Sequence, residues 1–413
     1  MRHGAGGYGS MAEARPPRPA KAQSRQSTKV TMFLALREIR RSRVRFGLLM
    51  AAVGLLVFLI LVQQALQDGL ITSFVGALER QSAPVLVYSV DGQRTLQGSV
   101  VAPPLEQAVR AVPEVAEAGR IGQGTFTVEI GDDSSAGGAD EDGDDGSDAA
   151  LIGYETAALG APDELSAGRL PHTEGEAVGS SADFSLGDRV RVVAEPAGPE
   201  LTVVGLADEA QIQVTPTLFV AWSDYEAAAR AANPDAEAIL PSTIGVRPVE
   251  GVTAQELTAR VNEADEEADA LTRDEAAAEA PGVAEVRQSF QVIFLLFALV
   301  APLVTGLFFL IVTFQKASAL TLLRAIGAPA GMLVRSLLVQ VVIVIGGGVV
   351  LGTALYAPLS QTEVGTLALR FDVCAVAFWA VLLLALGLAS ALVAARRVLA
   401  IDPMEATTGG GIR

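Results

Sequence analysis

The chain has 413 residues, half of them hydrophobic, and only 19% are charged and 5% aromatic. A simple soluble enzyme is not expected from this composition. The 47 acidic residues outnumber the 30 basic ones and give a formal charge of −17. We therefore expect no nucleic-acid partner, because nucleic-acid-binding proteins present a basic surface. The single cysteine, Cys374, excludes an intramolecular disulfide, and the two histidines leave few ligands for a zinc site.

Residues 1–28 are rich in Gly, Arg, Pro and Ser without an apolar period, which predicts a disordered cytoplasmic tail. Residues 29–45 are interpreted as an amphipathic helix along the inner leaflet, because Leu36 and Ile39 share one face while Arg37, Arg40 and Arg41 take another. An ordinary basic flank without an interfacial helix is the alternative.

Four long stretches of the chain contain no charged residue. They hold 22, 28, 27 and 23 residues and lie between Arg45 and Asp68, Arg287 and Lys316, Arg335 and Glu363, and Asp372 and Arg396. About 20 mostly apolar residues make a helix that crosses the hydrocarbon core of a bilayer. We therefore predict transmembrane helices at residues 46–66, 290–314, 336–358 and 373–395. Buried helices of a soluble domain fit less well, because they seldom run so far without a charge.

Charge is divided between two parts of the chain. Residues 67–289 hold 41 acidic residues and 12 arginines, whereas the remainder holds 6 acidic and 18 basic residues. The basic residues flank the apolar stretches, and such flanks stay on the cytoplasmic side. The sequence thus predicts a multi-pass protein of the cell inner (plasma) membrane with both termini cytoplasmic, including a tail at 396–413. Residues 67–289 and the short loop 359–372 are then external.

The external segment mixes strand and helix patterns. Short runs rich in β-branched residues predict strands at 85–88, 125–130, 190–193, 201–204, 218–220 and 243–246. Pro104 precedes a predicted helix at 105–111, and Thr253 with Glu256 has capping-box spacing at the head of a helix that runs to about Ala270. The predicted fold is an integral membrane protein with four transmembrane α-helices and a large α+β extracytoplasmic domain between helices 1 and 2.

An acidic linker at 131–149 is expected to separate an earlier β-α-β portion of this domain from a later one. A calcium loop starting at Asp140 does not fit, because the sixth position is Asp145 where the pattern needs Gly, and the twelfth is Leu151 where it needs Glu. His172 lies in a Gly-bounded segment and is most simply an exposed loop residue.

The sequence carries no phosphate-binding glycine loop ending in Lys followed by Ser or Thr, and no recognisable nucleophile context. We expect a non-catalytic membrane subunit that has no catalytic or metal-binding residues and binds no cofactor itself. Small residues in the third and fourth spans allow close helix approach, either within one subunit or at a dimer face: Gly346, Gly347, Gly348, Gly352, Gly387 and Ala391.

Residues 315–335, between the second and third spans, predict a cytoplasmic coupling elbow. Residues 317–326 have the pattern of a short helix, which Gly327 is placed to end and Pro329 prevents from continuing. The apolar Leu320, Leu323 and Ile326 exceed what a connector requires, so this strip favours a protein partner.

Several phrases of the sequence resemble the FtsX-like or MacB-like ABC transporter permease family. The phrases in the elbow and near the C-terminus are residues 323–328 (LRAIGA), 313–316 (TFQK), 396–398 (RRV) and 401–406 (IDPMEA). Those in the external segment are 168–171 (GRLP), 175–178 (GEAV) and 187–190 (GDRV). Residues 313–316 look closest to the DevC and HrtB branch. The resemblance covers roughly residues 33–406.

The resemblance implies two permease copies, identical or paralogous, each bound to an ABC ATPase subunit that uses the ATP. Closure of the ATPases would push on the elbow and so move the external domains. The elbow residues expected to contact the ATPase are Leu320, Leu323, Arg324, Ala325, Ile326 and Gly327. The favoured hypothesis is an exporter that removes an amphipathic or lipid-like substrate from the outer leaflet or the external face, with membrane lipid as a further partner. The substrate stays open among haem, glycolipid, lipoprotein and drug-like molecules.

Two alternatives to the exporter remain. The first is a non-transporting FtsX-like signal transmitter that controls an extracytoplasmic cell-wall enzyme as its partner protein. The second is a membrane-tethered binding protein without energy input.

Overall fold

The computed structural model describes residues 43–131, 146–194, 198–315, 330–360, 363–364, 367–368 and 373–399. The chain divides into two compact units. Unit 1 draws on Met1–Leu61, Leu295–Tyr356 and Asp372–Arg413, and unit 2 on Val62–Phe294 and Ala357–Phe371. The predicted tail 1–28, most of the segment 29–45, most of the acidic linker and the tail beyond residue 399 lie outside the described residues, whereas residues 396–399 belong to the last helix.

The helices, in chain order, are α1 (Arg43–Arg80), α2 (Pro103–Ala111), α3 (Trp222–Ala232), α4 (Ala254–Ala264), α5 (Arg273–Ala278), α6 (Val283–Gln315), α7 (Ala330–Leu359) and α8 (Val373–Leu399). The strands are β1 (Val85–Ser89), β2 (Val115–Gly131), β3 (Ser147–Tyr154), β4 (Ala167–Gly168), β5 (Glu176–Ser180), β6 (Arg189–Val192), β7 (Glu200–Ala207), β8 (Thr217–Ala221), β9 (Thr243–Pro248), β10 (Ala268–Thr272), β11 (Glu363–Val364) and β12 (Leu367–Ala368).

Four of these helices, α1, α6, α7 and α8, are long and apolar enough to cross a membrane. The stretches predicted as spans, 46–66, 290–314, 336–358 and 373–395, fall inside them. The helix α1 has 38 residues, which is nearly twice the roughly 20 needed to cross the hydrocarbon core. It therefore continues well past the end of the first predicted span and contributes residues to both units.

Within unit 1, glycines of α7 permit close contact with α1. A Cβ added to Gly348 would lie 2.5 Å from Val53, and one added to Gly352 would lie 2.6 Å from the carbonyl oxygen of Gly54. At Gly347 an added Cβ would likewise collide with Met50. Only glycine allows such backbone approach. These three glycines thus pack within one subunit, one of the two alternatives the sequence left open.

The helix α8 packs closely on α7 and α6. A Cβ at Gly387 would lie 2.2 Å from the side chain of Ile345, and Ala391 is fully buried. The hydroxyl of Ser390 donates to the carbonyl oxygen of Pro302 at 3.0 Å. This bond satisfies a polar side chain within an apolar helix bundle, where an unpaired hydroxyl is costly.

Unit 2 is built on one sheet of ten strands. Its order is β10-β1-β9-β2-β3-β8-β5-β7-β4, and β6 pairs with β2 and β7. A β-α-β portion made of β1, α2 and β2 precedes the acidic linker, as the sequence predicts. Its last strand, β2, pairs antiparallel with β3, the first strand after the linker, from Ile121 opposite Tyr154 to Val128 opposite Ser147. The linker therefore joins adjacent strands of a single sheet.

Side chains of β1 alternate between the two faces of this sheet. Val85 and Val87 join a core cluster with residues of α2 and α4. Leu86 lies in another cluster, which includes Leu78 near the end of α1 and Val283 at the start of α6. The end of α1 is therefore part of the hydrophobic core of unit 2.

The sequence identified most strand cores but misjudged one helix end. The capping box of Thr253 and Glu256 is confirmed. The extension of this helix to about Ala270 is wrong, because it ends at Ala264 and Asp265 is already extended, with φ −148°. Residues Ala268–Thr272 instead form β10 and pair with β1, with Leu271 opposite Leu86. Burial against the sheet outweighs the helical preference of these alanines.

Candidate coupling junction

The residues predicted to contact an ATPase all lie outside the described part of the chain: Leu320, Leu323, Arg324, Ala325, Ile326 and Gly327. Their role stays a prediction. What the structure does describe is the other end of the expected path, where the long helix α1 joins the sheet of unit 2.

The connection between β7 and β8, residues 208–216, is hydrogen-bonded to the backbone near the end of α1. We call it the clasp loop. The amide of Ala77 donates to the carbonyl oxygen of Gln211 at 2.9 Å. In a regular α-helix this amide would donate to Ser73, four residues earlier. The carbonyl oxygen of Ser73 instead accepts from the amide of Val214 at 2.8 Å. The loop thus bonds to main-chain groups that normally belong to the helix ladder.

A third backbone bond and a glycine complete this contact. The amide of Gln213 donates to the carbonyl oxygen of Phe74 at 3.0 Å. A Cβ at Gly76 would lie only 2.1 Å from the carbonyl oxygen of Glu209, so the two backbones meet where α1 has no side chain. One turn later, the side chain of Arg80 forms an ion pair with Glu209.

The clasp loop is strained in three places. Glu209, Gln213 and Val214 have φ values of 56°, 53° and 59°, in the left-handed region that L-residues avoid and that is worst for a β-branched residue. Such conformations persist only where the surrounding contacts enforce them. One such contact joins the loop to β8, where the amide of Ile212 donates to the Thr217 hydroxyl oxygen at 3.0 Å.

The last residue of α1 and the residue after it are hydrogen-bonded to other parts of unit 2 as well. The amide of Asp163 donates to the carbonyl oxygen of Arg80 at 2.7 Å, and the guanidinium of Arg273 donates to the carbonyl oxygen of Gln81 at 2.9 Å. Since helix ends leave their last carbonyl groups without intrahelical partners, these two bonds satisfy groups that would otherwise be unpaired. The end of α1 is therefore held from the β7–β8 side and from α5.

Two of the family-like phrases of the external segment, 168–171 and 175–178, are joined by an ion pair. The guanidinium of Arg169 donates to both carboxylate oxygens of Glu176, at 2.7 and 2.5 Å, and the backbone amide of His172 donates to the same carboxylate at 2.9 Å. These donors, led by Arg169, hold the pKa of Glu176 well below its usual range. The amide of Gly175 donates to Asp224 at 3.1 Å. His172 is exposed, as expected.

Sequence reasoning missed the junction entirely. Its partners lie far apart in the chain, and most of its bonds use backbone groups that no motif reveals. One local signal was present, since Gly76 interrupts an otherwise apolar helical run and an internal glycine costs about 1 kcal/mol relative to alanine. Such a glycine indicates close backbone approach, but it does not identify the partner.

No protein-family model and no curated protein matches the sequence. Among solved structures, the chain is similar to the periplasmic region of MacB from Actinobacillus actinomycetemcomitans, with 11% identity over 48% of this chain and 91% of that chain and a TM-score of 0.32. It is also similar to the extracellular domain of the ABC-type transporter YknZ from Gram-positive bacteria, with 11% identity over 46% of this chain and 99% of that chain and a TM-score of 0.29. At TM-scores this low a shared fold is not established, and the family likeness stays with the sequence phrases.

Proposed function

We propose that the chain is the permease subunit of an ABC transporter, a MacB/DevC/HrtB-like exporter. It couples ATP hydrolysis by a separate partner ATPase to movement of its extracytoplasmic domain and to export of an amphipathic or lipid-like substrate. The sequence phrases and the four apolar helices support this proposal. The observation that carries it is the attachment of α1 to the clasp loop.

The geometry of that attachment suits the transfer of motion. A single helix, α1, contains the first predicted span and reaches Arg80. Its end contributes Val75, Ala77 and Leu78 to a core cluster of unit 2, and its backbone bonds to the clasp loop. The clasp loop is hydrogen-bonded to backbone groups of α1, so a displacement of this helix end is transmitted to β7 and β8 without passing through side chains.

The proposal is tested by purifying the full-length tagged chain in mild detergent and identifying what accompanies it by mass spectrometry. We expect an ABC ATPase subunit, and we expect deletion of its gene to abolish efflux. Replacing Leu323 by Glu places a charge on the predicted apolar strip of the elbow and should remove the ATPase from the purified complex. The conservative Leu323→Met variant should retain it. Purification without any ATPase, or efflux that continues without it, would overturn the proposal.

A second candidate function is an FtsX-like transmitter, because the same attachment moves an external domain without any need for a transport path. In that case the full-length chain captures an extracytoplasmic cell-wall hydrolase. Loss of the chain then changes cell-wall cleavage and leaves substrate accumulation unchanged. Accumulation of an amphipathic compound in the deletion strain, with normal cell-wall cleavage, favours the exporter.

A further inference from the structure

Six strands of unit 2 form a closed ring, and the described sheet ends outside this ring in two edge strands. The ring runs β2-β3-β8-β5-β7, and β6 closes it because it pairs with both β2 and β7. The edge strands are β4, which has two residues, and β10, which has five. An edge strand presents backbone groups that can pair with a strand of another chain. The longer edge, β10, is therefore the place where such pairing would begin.

The backbone groups at the centre of β10 point away from β1. Ala270 lies opposite Val87, yet its amide donates to the side-chain oxygen of Asn262 at 2.7 Å. In an antiparallel pair, the residues alternate between those that bond to the partner strand and those that face outward. Ala270 therefore belongs to the outward set, and so do Ala268 and Thr272, which lie two residues away on either side.

The outward amides at the two ends of β10 also have partners. The amide of Ala268 donates to the carbonyl oxygen of Asp265 at 3.2 Å. The amide of Thr272 donates to the carboxylate of Glu275 at 3.0 Å, as part of the capping box of α5. All three outward amides of this edge are thus engaged within the chain, although each partner comes from a different local structure.

Asn262 engages both backbone groups of Ala270. Its side-chain nitrogen donates to the carbonyl oxygen of Ala270 at 3.2 Å, in addition to the bond that its oxygen accepts. A residue of a neighbouring antiparallel strand would exchange the same two bonds with Ala270. The primary amide of asparagine offers the donor and the acceptor of a peptide group. Asn262, in the last turn of α4, is itself exposed, so it takes the place of a neighbouring strand at a solvent-facing edge.

We infer that the side chain of Asn262 blocks the addition of a strand at β10, and that the strand it excludes is β10 of a second copy of this chain. A second copy carries the same edge. A two-fold axis would bring the two β10 strands together antiparallel, with Ala270 opposite Ala270, because such an interface joins the same patch of both copies. The inference goes beyond the proposed function and is independent of ATPase coupling and of transport.

The test compares full-length variants in detergent by light scattering over a range of protein concentrations. The wild type sets the baseline, which includes any dimer formed elsewhere in the chain. Asn262→Ala frees both backbone groups of Ala270. We expect it to lower the dissociation constant between baseline particles at least about tenfold, since two new hydrogen bonds contribute about fivefold each.

A second variant separates an open edge from a weakened fold. Asn262→Lys also loses the bond from the amide of Ala270, because an ammonium group cannot accept a hydrogen bond. It places a positive charge at the edge, however, and such charges discourage strand pairing. This variant should therefore stay at the baseline. The control is Asn233→Ala, which changes the only other asparagine of the chain, exposed at the end of α3, and it should also stay at the baseline.

Hydrogen exchange followed by mass spectrometry tests the block without relying on association. The peptide that contains β10 should exchange more slowly in the wild type than in Asn262→Lys, because the amide of Ala270 loses its acceptor in the variant. Equal exchange in the two proteins would overturn the inference. It would also be overturned if Asn262→Ala stayed at the baseline, or if Asn262→Ala and Asn262→Lys associated equally. None of these results bears on the proposed function, which depends on whether an ATPase co-purifies.

Discussion

The amide of Val214 donates to the carbonyl oxygen of Ser73 at 2.8 Å, while Val214 itself has a φ of 59°. A β-branched residue in the left-handed region pays a steric penalty of roughly 1–2 kcal/mol. The bond to α1 is therefore made by a residue that would relax to another conformation if it were released. Val214 is therefore both a strained residue and one that bonds the clasp loop to α1. The conformation of the clasp loop and its attachment to α1 depend on each other at this position.

Replacing Val214 by glycine should stabilise the full-length chain by about 1 kcal/mol, because glycine adopts a positive φ without steric cost. The side chain is 43% exposed, so its removal gives up little burial. Thermal unfolding in detergent, followed by circular dichroism, measures the effect. The matched control is Val193→Gly, at a similarly exposed valine that is 47% accessible and is not among the residues with positive φ. This control should be destabilised, and a destabilised Val214→Gly variant would contradict the strain argument.

Replacing Gly76 by alanine should destabilise unit 2 by about 1–3 kcal/mol, because the new methyl group would lie 2.1 Å from the backbone oxygen of Glu209 and one backbone would have to move. The control is Gly47→Ala on the same helix, where an added Cβ meets nothing within 4 Å. There alanine should be neutral or stabilising, owing to its better helix propensity. Thermal unfolding of both variants decides the matter, and equal midpoints would show that α1 and the clasp loop separate freely.

The Arg169 and Glu176 pair predicts a dependence of stability on pH. The folded-state pKa of Glu176 is lowered below its ordinary value of 4.5, first by the hydrogen bond from Arg169. A depressed carboxyl pKa contributes stability above the unfolded-state value, and this contribution is lost as the pH falls toward the folded-state value. Glu176→Gln should therefore unfold more easily than the wild type at pH 7, and the difference should shrink steadily below about pH 4.5. A difference that is constant across this range would show that ionisation of Glu176 is irrelevant.

The glycines of α7 allow a paired test of helix packing. Gly348→Leu should lower the unfolding midpoint by several degrees, because even a Cβ there would lie 2.5 Å from Val53 and overpacking typically costs 1–3 kcal/mol. Gly346→Leu should leave the midpoint unchanged, since a Cβ at Gly346 meets nothing within 4 Å. If Gly346→Leu instead abolishes a dimer seen by light scattering, with an unchanged midpoint, the face that carries Gly346 lies between two copies of the chain.

The sequence predicted the elements that are determined by residues close together in the chain. Long uncharged stretches identified the four apolar helices because the hydrocarbon core sets a minimum of about 20 apolar residues for a spanning helix. The capping box at Thr253 was readable because its two residues are three apart. The first half of β2 was missed. Residues 115–124 contain Gly119, Gly122 and Gly124, which weaken a strand pattern, yet an added Cβ at Gly122 would lie 2.3 Å from Tyr225. Packing against Tyr225 of α3 requires the glycine at position 122, and close contact with Thr156 requires the one at position 119. No local pattern reveals either contact.

The junction could not be predicted for a related reason. Its bonds join Ser73 and Ala77 to Gln211 and Val214 through backbone groups, and backbone groups are the same in every residue. The coupling elbow presents the opposite case. Its residues are readable as a motif, yet they lie outside the described part of the chain and their role stays a prediction.

The pairing of β2 with β3 has a consequence for engineering this chain. The two strands are in register as far as Val128 opposite Ser147, so the acidic segment leaves and re-enters the sheet at adjacent points. Lengthening a connection of this kind costs little, since each doubling of loop length adds only about 0.6 kcal/mol. An epitope or a fluorescent protein placed at Gly143 should therefore leave the fold intact and report which side of the bilayer it occupies.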